Sequence, residues 1–260
     1  MTFHCIDVKR DGAICFIRFN RPEKENSIND RLIDEVRQVL AIHTGPEATN
    51  GEPATVVVLE GSSTVFCSGA DFHEVNDGDG KEARMQMDTL YGVWQQLSGG
   101  PFISVAHVKG KANAGGLGFV CACDLVLADE TASFGLSELL FGLFPACVFP
   151  FLVKRIGFQR AHYLTLTTKP ISSRDGEKWG LVDRCDANSD RLLLLHLSRL
   201  RLLPVNGIKR YKAYVENYQG RLAALKPVAL EANEEMFDDP YNRQRIRAYV
   251  ETGQLPWESV

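Results

Sequence analysis

Hydrophobic and polar positions along the chain follow two different periods. Short apolar runs are typical of strands that are buried on both faces of a sheet. Apolar positions spaced by three and four residues are typical of helices with one buried face. The runs that predict strands lie at residues 13–19, 55–61, 102–108 and 124–128, and helical patterns lie at 30–43, 83–97 and 115–123. This alternation of strands and helices predicts an α/β core.

The pattern becomes helical after residue 182. Residues 188–252 are helical in character almost throughout, and they include a leucine-rich stretch at 192–202. No long linker separates this region from the rest of the chain, as would be expected between independent domains. We therefore expect residues 1–187 to form a core with the active site, and residues 188–260 to form a helical region of the same domain.

Composition and charge restrict the class of protein. Hydrophobic residues make up 45% of the 260 residues, which is enough for a substantial buried core. Lys and Arg total 29 against 33 for Asp and Glu, so a net charge of -4 gives no reason to expect binding to nucleic acid or acidic lipid. No apolar run reaches the roughly 18 residues of a membrane span, and the first residues lack a signal-peptide pattern. We expect a cytoplasmic protein.

Cysteines and glycine motifs give no sign of a bound cofactor. The seven cysteines have neither the spacing of a zinc site nor that of a redox pair, so we expect free thiols. The chain also lacks the glycine fingerprint of a dinucleotide site, and Gly110-Lys111 lacks the hydroxyl residue that completes a phosphate loop. We therefore expect no metal, nicotinamide or flavin.

Two glycine-containing segments join the end of a strand to the start of a helix, at residues 66–72 and 113–118. At such a junction the first backbone N–H groups of the helix have no helical partner, and glycine lets a ligand approach the backbone closely. Two N–H groups that converge on one oxygen would form an oxyanion hole, which a thioester enolate requires. Tight helix packing is the alternative explanation for the glycines of residues 115–118.

The order and composition of these segments resemble the crotonase, or enoyl-CoA hydratase, superfamily. The resemblance covers nearly the whole chain and is carried by residues 20–28, 66–71, 115–116, 132–138, 164–167 and 180–183, with Asp124 eight residues after Gly116. It implies a crotonase fold, which is a spiral of ββα repeats with a C-terminal helical trimerisation region. The expected assembly is a homotrimer or a hexamer.

The resemblance also implies roles for individual residues. The backbone N–H groups of Ala70 and Gly115 would form the oxyanion hole, and Glu138 would be the catalytic carboxylate. Substrate binding would involve Ala70, Asp71, Phe72, His73 and Gly115. Because the first role needs only backbone groups in glycine-flanked turns, it agrees with the interpretation drawn from the residues themselves.

One position departs from the pattern of the hydratases. These enzymes typically carry two catalytic glutamates, and the position of the first, counted back from Asp124, is Gly118. Glu138 would then act without a second carboxylate, and its apolar neighbours would raise its pKa by desolvation. The alternative is that Glu138 is a helix-entry residue placed near a helix dipole.

Within the superfamily, residues 107–120, 137–147 and 249–258 resemble the dehydratase of polyketide β-branching cassettes. This resemblance implies a lyase that converts 3-hydroxy-3-methylglutaryl-acyl carrier protein to the 3-methylglutaconyl thioester. The acyl group would be carried on phosphopantetheine or coenzyme A, with an acyl carrier protein as partner. The alternatives are the decarboxylase of the glutaconyl thioester, a general enoyl-CoA hydratase and a non-catalytic crotonase-like binding protein.

Other polar residues are weaker candidates. His73 and Tyr91 could approach the acyl end of the substrate, and Arg84 or Lys111 could meet a substrate carboxylate. His107 lies in a predicted strand without a neighbouring Asp or Ser in a nucleophile motif, so a catalytic role is not expected for it.

Overall fold

A computed structural model describes residues 2–44, 53–72, 80–219 and 221–255, and at 80–84, 217–219 and 221 it describes the backbone alone. In the described part, the larger sheet has the strand order β1-β2-β3-β5-β7-β10. β1 is antiparallel to β2, and the remaining pairs are parallel. Its strands are β1 (Ile6–Asp11), β2 (Ile14–Phe19), β3 (Val56–Glu60), β5 (Ile103–Val108), β7 (Leu125–Asp129) and β10 (Arg184–Asp186).

A smaller sheet has the order β4-β6-β8-β9 and is parallel except for β9. Its strands are β4 (Val65–Cys67), β6 (Lys111–Asn113), β8 (Ser133–Gly135) and β9 (Ile171–Ser172). The chain repeatedly runs through a strand of the larger sheet, a strand of the smaller sheet and then a helix, which is the expected ββα succession. The sequence pattern does not reveal the short strands, because two or three residues are too few to show a period.

The helices surround these sheets. They are α1 (Asp30–Thr44), α2 (Gly80–Gly99), α3 (Gly115–Ala122), α4 (Phe149–Ile156), α5 (Phe158–Thr167), α6 (Ser173–Trp179), α7 (Ser189–Leu200), α8 (Val205–Gln219), α9 (Arg221–Asp238) and α10 (Pro240–Thr252). Single 3₁₀ turns occur at Pro22–Lys24 and Glu138–Phe141. The predicted helices at 30–43, 83–97 and 115–123 are confirmed within a few residues at each end. None of the helices in the described part combines the length and the apolar composition needed to cross a membrane.

An aromatic cluster joins three of the helices in the core. The ring of Trp94 in α2 lies edge-on to Phe119 of α3 at 5.9 Å and to Phe151 of α4 at 5.7 Å between centroids. All three side chains are fully buried. Edge-to-face contacts of this kind fix ring orientation as well as position. The indole of Trp94 is therefore held rigidly where α2 crosses α3.

The C-terminal helices close over one side of the core. Tyr91 in α2 donates a hydrogen bond to the carbonyl of Leu222 at the start of α9, at 2.9 Å. Phe141, which follows Glu138 in the 3₁₀ turn, packs in an apolar cluster with Met236 of α9 and Ile246 of α10. Residues after 221 thus contribute to the same part of the molecule as the predicted catalytic segment.

Candidate active site

The backbone N–H of Ala70 points away from Ile28, its partner in an isolated bridge. Ala70 forms an isolated parallel bridge with Ile28, in which the N–H of Ile28 donates to the carbonyl of Gly69 at 2.7 Å. The N–H of Asp71 donates in turn to the carbonyl of Ile28 at 2.9 Å. Successive N–H groups of an extended chain point to opposite sides. The N–H of Ala70 therefore points away from Ile28, and no acceptor for it is found among the described residues.

Gly115 is the first residue of α3, and its N–H has no helical acceptor. Ala114 before it has a φ of +49°, an uncommon conformation for a residue with a side chain, and its N–H donates to the carbonyl of Gly135 at 3.1 Å. A Cβ built on Gly69, where φ is +105°, would lie 2.8 Å from the Cβ of Ala114 and 3.6 Å from the N of Gly115. The two turns are thus in direct contact, and glycine at position 69 permits that contact.

Glu138 is held next to these turns by the 3₁₀ turn that it begins. The side chain of Asn113, just before the Gly115 turn, donates to the hydroxyl of Ser137 at 2.9 Å. The N–H of Leu143 donates to the carbonyl of Glu138 at 3.1 Å. The first bond connects the segment that carries the carboxylate to the segment that carries the Gly115 N–H, and the second closes the turn that begins at Glu138.

The carboxylate of Glu138 is in an apolar environment. Its Oε2 atom is buried and has no hydrogen-bond partner among the described residues. Burial raises the pKa of Glu138 to about 7, against the opposing effect of hydrogen bonds from its own backbone N–H and from that of Ser137. A carboxyl group with this pKa can both accept and return a proton near neutral pH, as general acid–base catalysis requires.

These groups share one cavity of about 120 Å³. Ala70, Phe72, Gly115 and Glu138 all line it, together with residues of α1, α2 and α9. Within the described part of the lining, Glu138 is the one acidic residue. Two backbone N–H groups at an apolar cavity can stabilise the oxyanion of an enolate. A carboxylate beside them can accept the proton that is released when the enolate forms.

The sequence matches the enoyl-CoA hydratase/isomerase family model over residues 9–260. This chain belongs to the enoyl-CoA hydratase/isomerase family. The predicted resemblance and the prediction of an enzyme of the hydratase type are thereby confirmed.

Individual relatives of the family cover nearly the whole chain. The bacillaene synthase dehydratase PksH of Bacillus subtilis is 50% identical over 260 residues, covering 99% of this chain and 98% of the relative. The mevalonyl-coenzyme A hydratase sidH of Aspergillus fumigatus is 29% identical over 258 residues, covering 94% and 91% of the two chains.

Solved structures confirm the predicted α/β crotonase fold. The crystal structure of the pksH polyketide biosynthesis enoyl-CoA hydratase from B. subtilis superposes with a TM-score of 0.89 at 49% identity, covering 97% of this chain and 99% of the other. An enoyl-CoA hydratase from Bacillus halodurans superposes with a TM-score of 0.84 at 19% identity, covering 94% and 100% of the two chains. Fold is therefore retained in this family at low sequence identity.

The remaining residues predicted to bind substrate have different positions. The carboxylate of Asp71 is buried and accepts hydrogen bonds from Arg21 at 3.0 Å and from the hydroxyl of Ser27 at 3.1 Å, outside the described lining of the cavity. The carboxylate of Asp71 thereby holds the turn at Ala70 against the N-terminal segment that contains Arg21 and Ser27. His73 lies outside the described residues. The roles assigned to Ala70, Asp71, Phe72, His73, Gly115 and Glu138 stay predictions.

Tyr91 and Lys111, two of the weaker candidates, lie outside the described lining of the cavity. Tyr91 is fully buried, its hydroxyl is used to hold α9, and burial raises its pKa. Lys111 is exposed and lies 3.6 Å from the carboxylate of Glu25. The side chain of Arg84 lies outside the described residues. Tyr91 therefore has a structural role. Lys111 is not among the described residues that line the cavity.

His107 contacts residue types that also occur in nucleophilic sites. Its Nδ1 is 2.8 Å from the carboxylate of Glu60, and its Nε2 is 3.1 Å from the hydroxyl of Ser189. The hydroxyl of Ser189 donates to Asp129 at 3.1 Å, and this serine is only 1% exposed, so a substrate cannot reach it. The network joins α7 to the larger sheet, which agrees with the expectation that His107 is not catalytic.

Gly118 has no space for the glutamate that hydratases of this family typically carry. A Cβ built on Gly118 would lie 2.5 Å from Cζ2 and 2.7 Å from Cη2 of Trp94. The indole therefore occupies the space that a carboxylate side chain would need. The sequence identifies the missing carboxylate but not the indole, because Trp94 lies on another helix with no motif around it.

The pKa of Glu138 predicts a pH-dependent cost to stability. Its folded-state pKa of about 7 exceeds the usual value of 4.5, so the folded protein binds more protons and stability falls as pH rises between these values. Above pH 7 the cost is roughly 3 kcal/mol, and Glu138→Gln removes it. Thermal unfolding at pH 8 should give a Tm for Glu138→Gln on the order of 5 °C above wild type, with little difference at pH 5. Equal Tm values at pH 8 would contradict the burial of the Glu138 carboxylate.

Proposed function

We propose that this chain is a dehydratase of polyketide biosynthesis that removes water from a 3-hydroxyacyl thioester. The observation that carries the proposal is one buried carboxylate, Glu138, in a cavity with the N–H groups of Ala70 and Gly115. The 50% identity to the bacillaene synthase dehydratase supports the same reaction type.

The reaction begins with proton transfer from C2 to the carboxylate of Glu138. The electron pair of the C–H bond moves toward the thioester, whose oxygen becomes an oxyanion that accepts hydrogen bonds from Ala70 and Gly115. The C3–O bond then breaks as the C2=C3 bond forms. Glu138, now protonated, returns the proton to the departing hydroxide, so water leaves and the carboxylate is regenerated. Because one carboxylate serves both steps, hydrogen and hydroxyl leave from the same face.

We propose 3-hydroxy-3-methylglutaryl-acyl carrier protein as the substrate and the 3-methylglutaconyl thioester as the product. The resemblance to β-branching dehydratases supports this substrate, and the 50% identity to the B. subtilis bacillaene synthase dehydratase supports dehydration in polyketide synthesis. The phosphopantetheine arm carries the acyl group, so the carrier protein is the proposed partner. The chemistry uses backbone dipoles and a proton carrier, and we propose no metal or further cofactor.

The test is mass spectrometry of carrier protein loaded with the 3-hydroxy-3-methylglutaryl group after incubation with the enzyme. We expect loss of one water. Loss of carbon dioxide from the loaded 3-methylglutaconyl product would instead indicate the decarboxylase, and no change in either substrate would indicate a binding protein. Comparing the rate with the same acyl group on coenzyme A shows how much the carrier protein contributes to substrate recognition.

We also propose that the chain assembles as a homotrimer or a hexamer. Large apolar side chains remain exposed on the C-terminal half, including Leu194, Leu195, Leu202, Leu203, Tyr211, Tyr214 and Val228. Closed symmetric assembly would bury such side chains. Sedimentation at micromolar concentration should give three or six times the 28.9 kDa of one chain. A folded monomer at that concentration would contradict the proposal.

A further inference from the structure

Two hydrogen-bond donors of the cavity lack partners among the residues that the structure describes. The indole Nε1 of Trp94 and the amide Nδ2 of Asn233 are buried without an acceptor among the described residues, and both side chains line the cavity beside Glu138. A buried donor is normally paired, so each unpaired donor at a binding site calls for an acceptor from outside the protein. These two groups therefore indicate where ligand oxygens bind.

Other polar residues in the same lining are already paired. The amide of Gln86 donates to Asp30 at 2.7 Å, and the side-chain oxygen of Asn29 accepts from the N–H of Leu32 at 3.0 Å. Both residues line the cavity, yet their polar groups serve the helix that starts at residue 30. Among the side-chain donors of the described lining, the lack of a partner is thus specific to Trp94 and Asn233.

Trp94 lies beside Gly118, the position at which hydratases of this family typically carry the first glutamate. The indole carbon Cε2, which is bonded to Nε1, would lie 2.9 Å from a Cβ built on Gly118. The donor therefore sits at the base of the space that the first glutamate of a hydratase would occupy. An indole N–H donates a hydrogen bond but does not release its proton at ordinary pH. Trp94 can stabilise a departing oxygen, while the proton must come from Glu138.

Asn233 lines the cavity from the C-terminal region of the chain. It lies in α9, is 7% exposed, and has Met236 and Phe237 nearby in the lining. A single amide in an apolar wall discriminates strongly between acyl chains with and without an oxygen at that point, because an unmatched donor stays unpaired. It carries no charge, so a hydroxyl and a carboxylate oxygen can both accept from it.

We propose that Trp94 and Asn233 are specificity-determining residues that select an acyl chain with two oxygen-bearing groups. The N–H of Trp94 donates to the C3 oxygen as it departs, and the amide of Asn233 donates to a second oxygen farther along the chain. This inference rests on the proposed function, since it assigns the binding partners of the dehydrated acyl group. Trp94 thereby replaces the oxygen-stabilising role of the absent glutamate and leaves proton delivery to Glu138.

A binding experiment tests the Trp94 contact without turnover. Glu138→Gln, labelled with ¹⁵N at tryptophan, is titrated with 3-hydroxy-3-methylglutaryl-pantetheine or with 3-methylglutaryl-pantetheine, which lacks the C3 hydroxyl. The chain has three tryptophans, and loss of a signal in Trp179→Phe and in Trp257→Phe identifies the indole signal of Trp94 by elimination. We expect a downfield shift of the Trp94 N–H with the hydroxylated ligand only. Equal responses to both ligands would overturn the assignment.

Kinetics test the two donors separately. Three pantetheine thioesters are compared: 3-hydroxybutyryl without a distal oxygen, 3-hydroxy-3-methylglutaryl with a carboxylate, and 3,5-dihydroxy-3-methylvaleryl with a hydroxyl. Asn233→Leu should lower kcat/KM about tenfold or more for the carboxylate chain, the hydroxyl chain or both, and change 3-hydroxybutyryl less than about twofold. Trp94→Phe should lower kcat about 10- to 100-fold for all three, with Trp179→Phe as the control.

The outcomes separate this inference from the proposed function. If wild type dehydrates no substrate but the Trp94 signal responds to the C3 hydroxyl, the proposed function fails and the binding assignment stands. If dehydration proceeds but Asn233→Leu slows all three substrates equally, the selectivity inference is overturned and the proposed function stands.

Discussion

Replacing Glu138 with glutamine is expected to slow dehydration of the loaded carrier protein by about two to four orders of magnitude, on the order of 3 to 5 kcal/mol. Glutamine keeps the shape of the side chain but cannot accept the C2 proton. The buried Oε2 atom and the pKa of about 7 support the predicted role of Glu138 as the proton carrier of this cavity. Binding of a non-reacting acyl-pantetheine should change little, since the backbone donors of the oxyanion hole remain.

The measurement is single-turnover mass spectrometry with enzyme in excess, which separates chemistry from product release. Glu235→Gln is a matched control, because Glu235 is an exposed residue of α9 outside the described cavity lining. It should retain the wild-type rate. A near wild-type rate for Glu138→Gln would make Glu138 a helix-entry residue, and the base would then have to be another group.

Adding a single methyl group at Gly118 is expected to lower the Tm by about 2 to 6 °C, since overpacking a dense core costs roughly 1 to 3 kcal/mol. The new Cβ would lie 2.5 Å from the indole of Trp94, whose ring is fixed by Phe119 and Phe151. The ring cannot move without disturbing both aromatic contacts. Gly118→Glu should be more damaging still, so restoring the family glutamate alone does not restore a second catalytic carboxylate.

Gly92→Ala is the matched control for that measurement. It makes the same change within helix α2, but a Cβ there would meet nothing within 4 Å. Because alanine favours helix over glycine, Gly92→Ala should raise stability by about 0.5 to 1 kcal/mol. Thermal unfolding of the two variants at the same pH compares them directly. Similar Tm values for both would show that Trp94 does not fill the space beside Gly118.

The main strands and helices could be predicted from the sequence because their signals are local. The predicted helix at 30–43 corresponds to Asp30–Thr44, and the predicted strand at 102–108 corresponds to Ile103–Val108. The turns before Ala70 and Gly115 were also visible, since glycine marks positions where backbone conformation or close approach excludes a side chain. The short strands of the smaller sheet could not be predicted from the sequence, because their pairing depends on residues distant in the chain.

The sequence by itself determined the α/β core and the two glycine turns, and the order of its motifs supplied the family resemblance that predicts Glu138 as the catalytic carboxylate and Gly118 in place of a second one. Periodicity and motif order carry that information within short stretches of chain. Tertiary structure alone decided that Trp94 fills the space beside Gly118 and that Asn233, from a C-terminal helix, enters the same cavity. The apolar neighbours of Glu138 predicted the direction of its pKa shift, but the size of the shift depends on every element packed around the carboxylate.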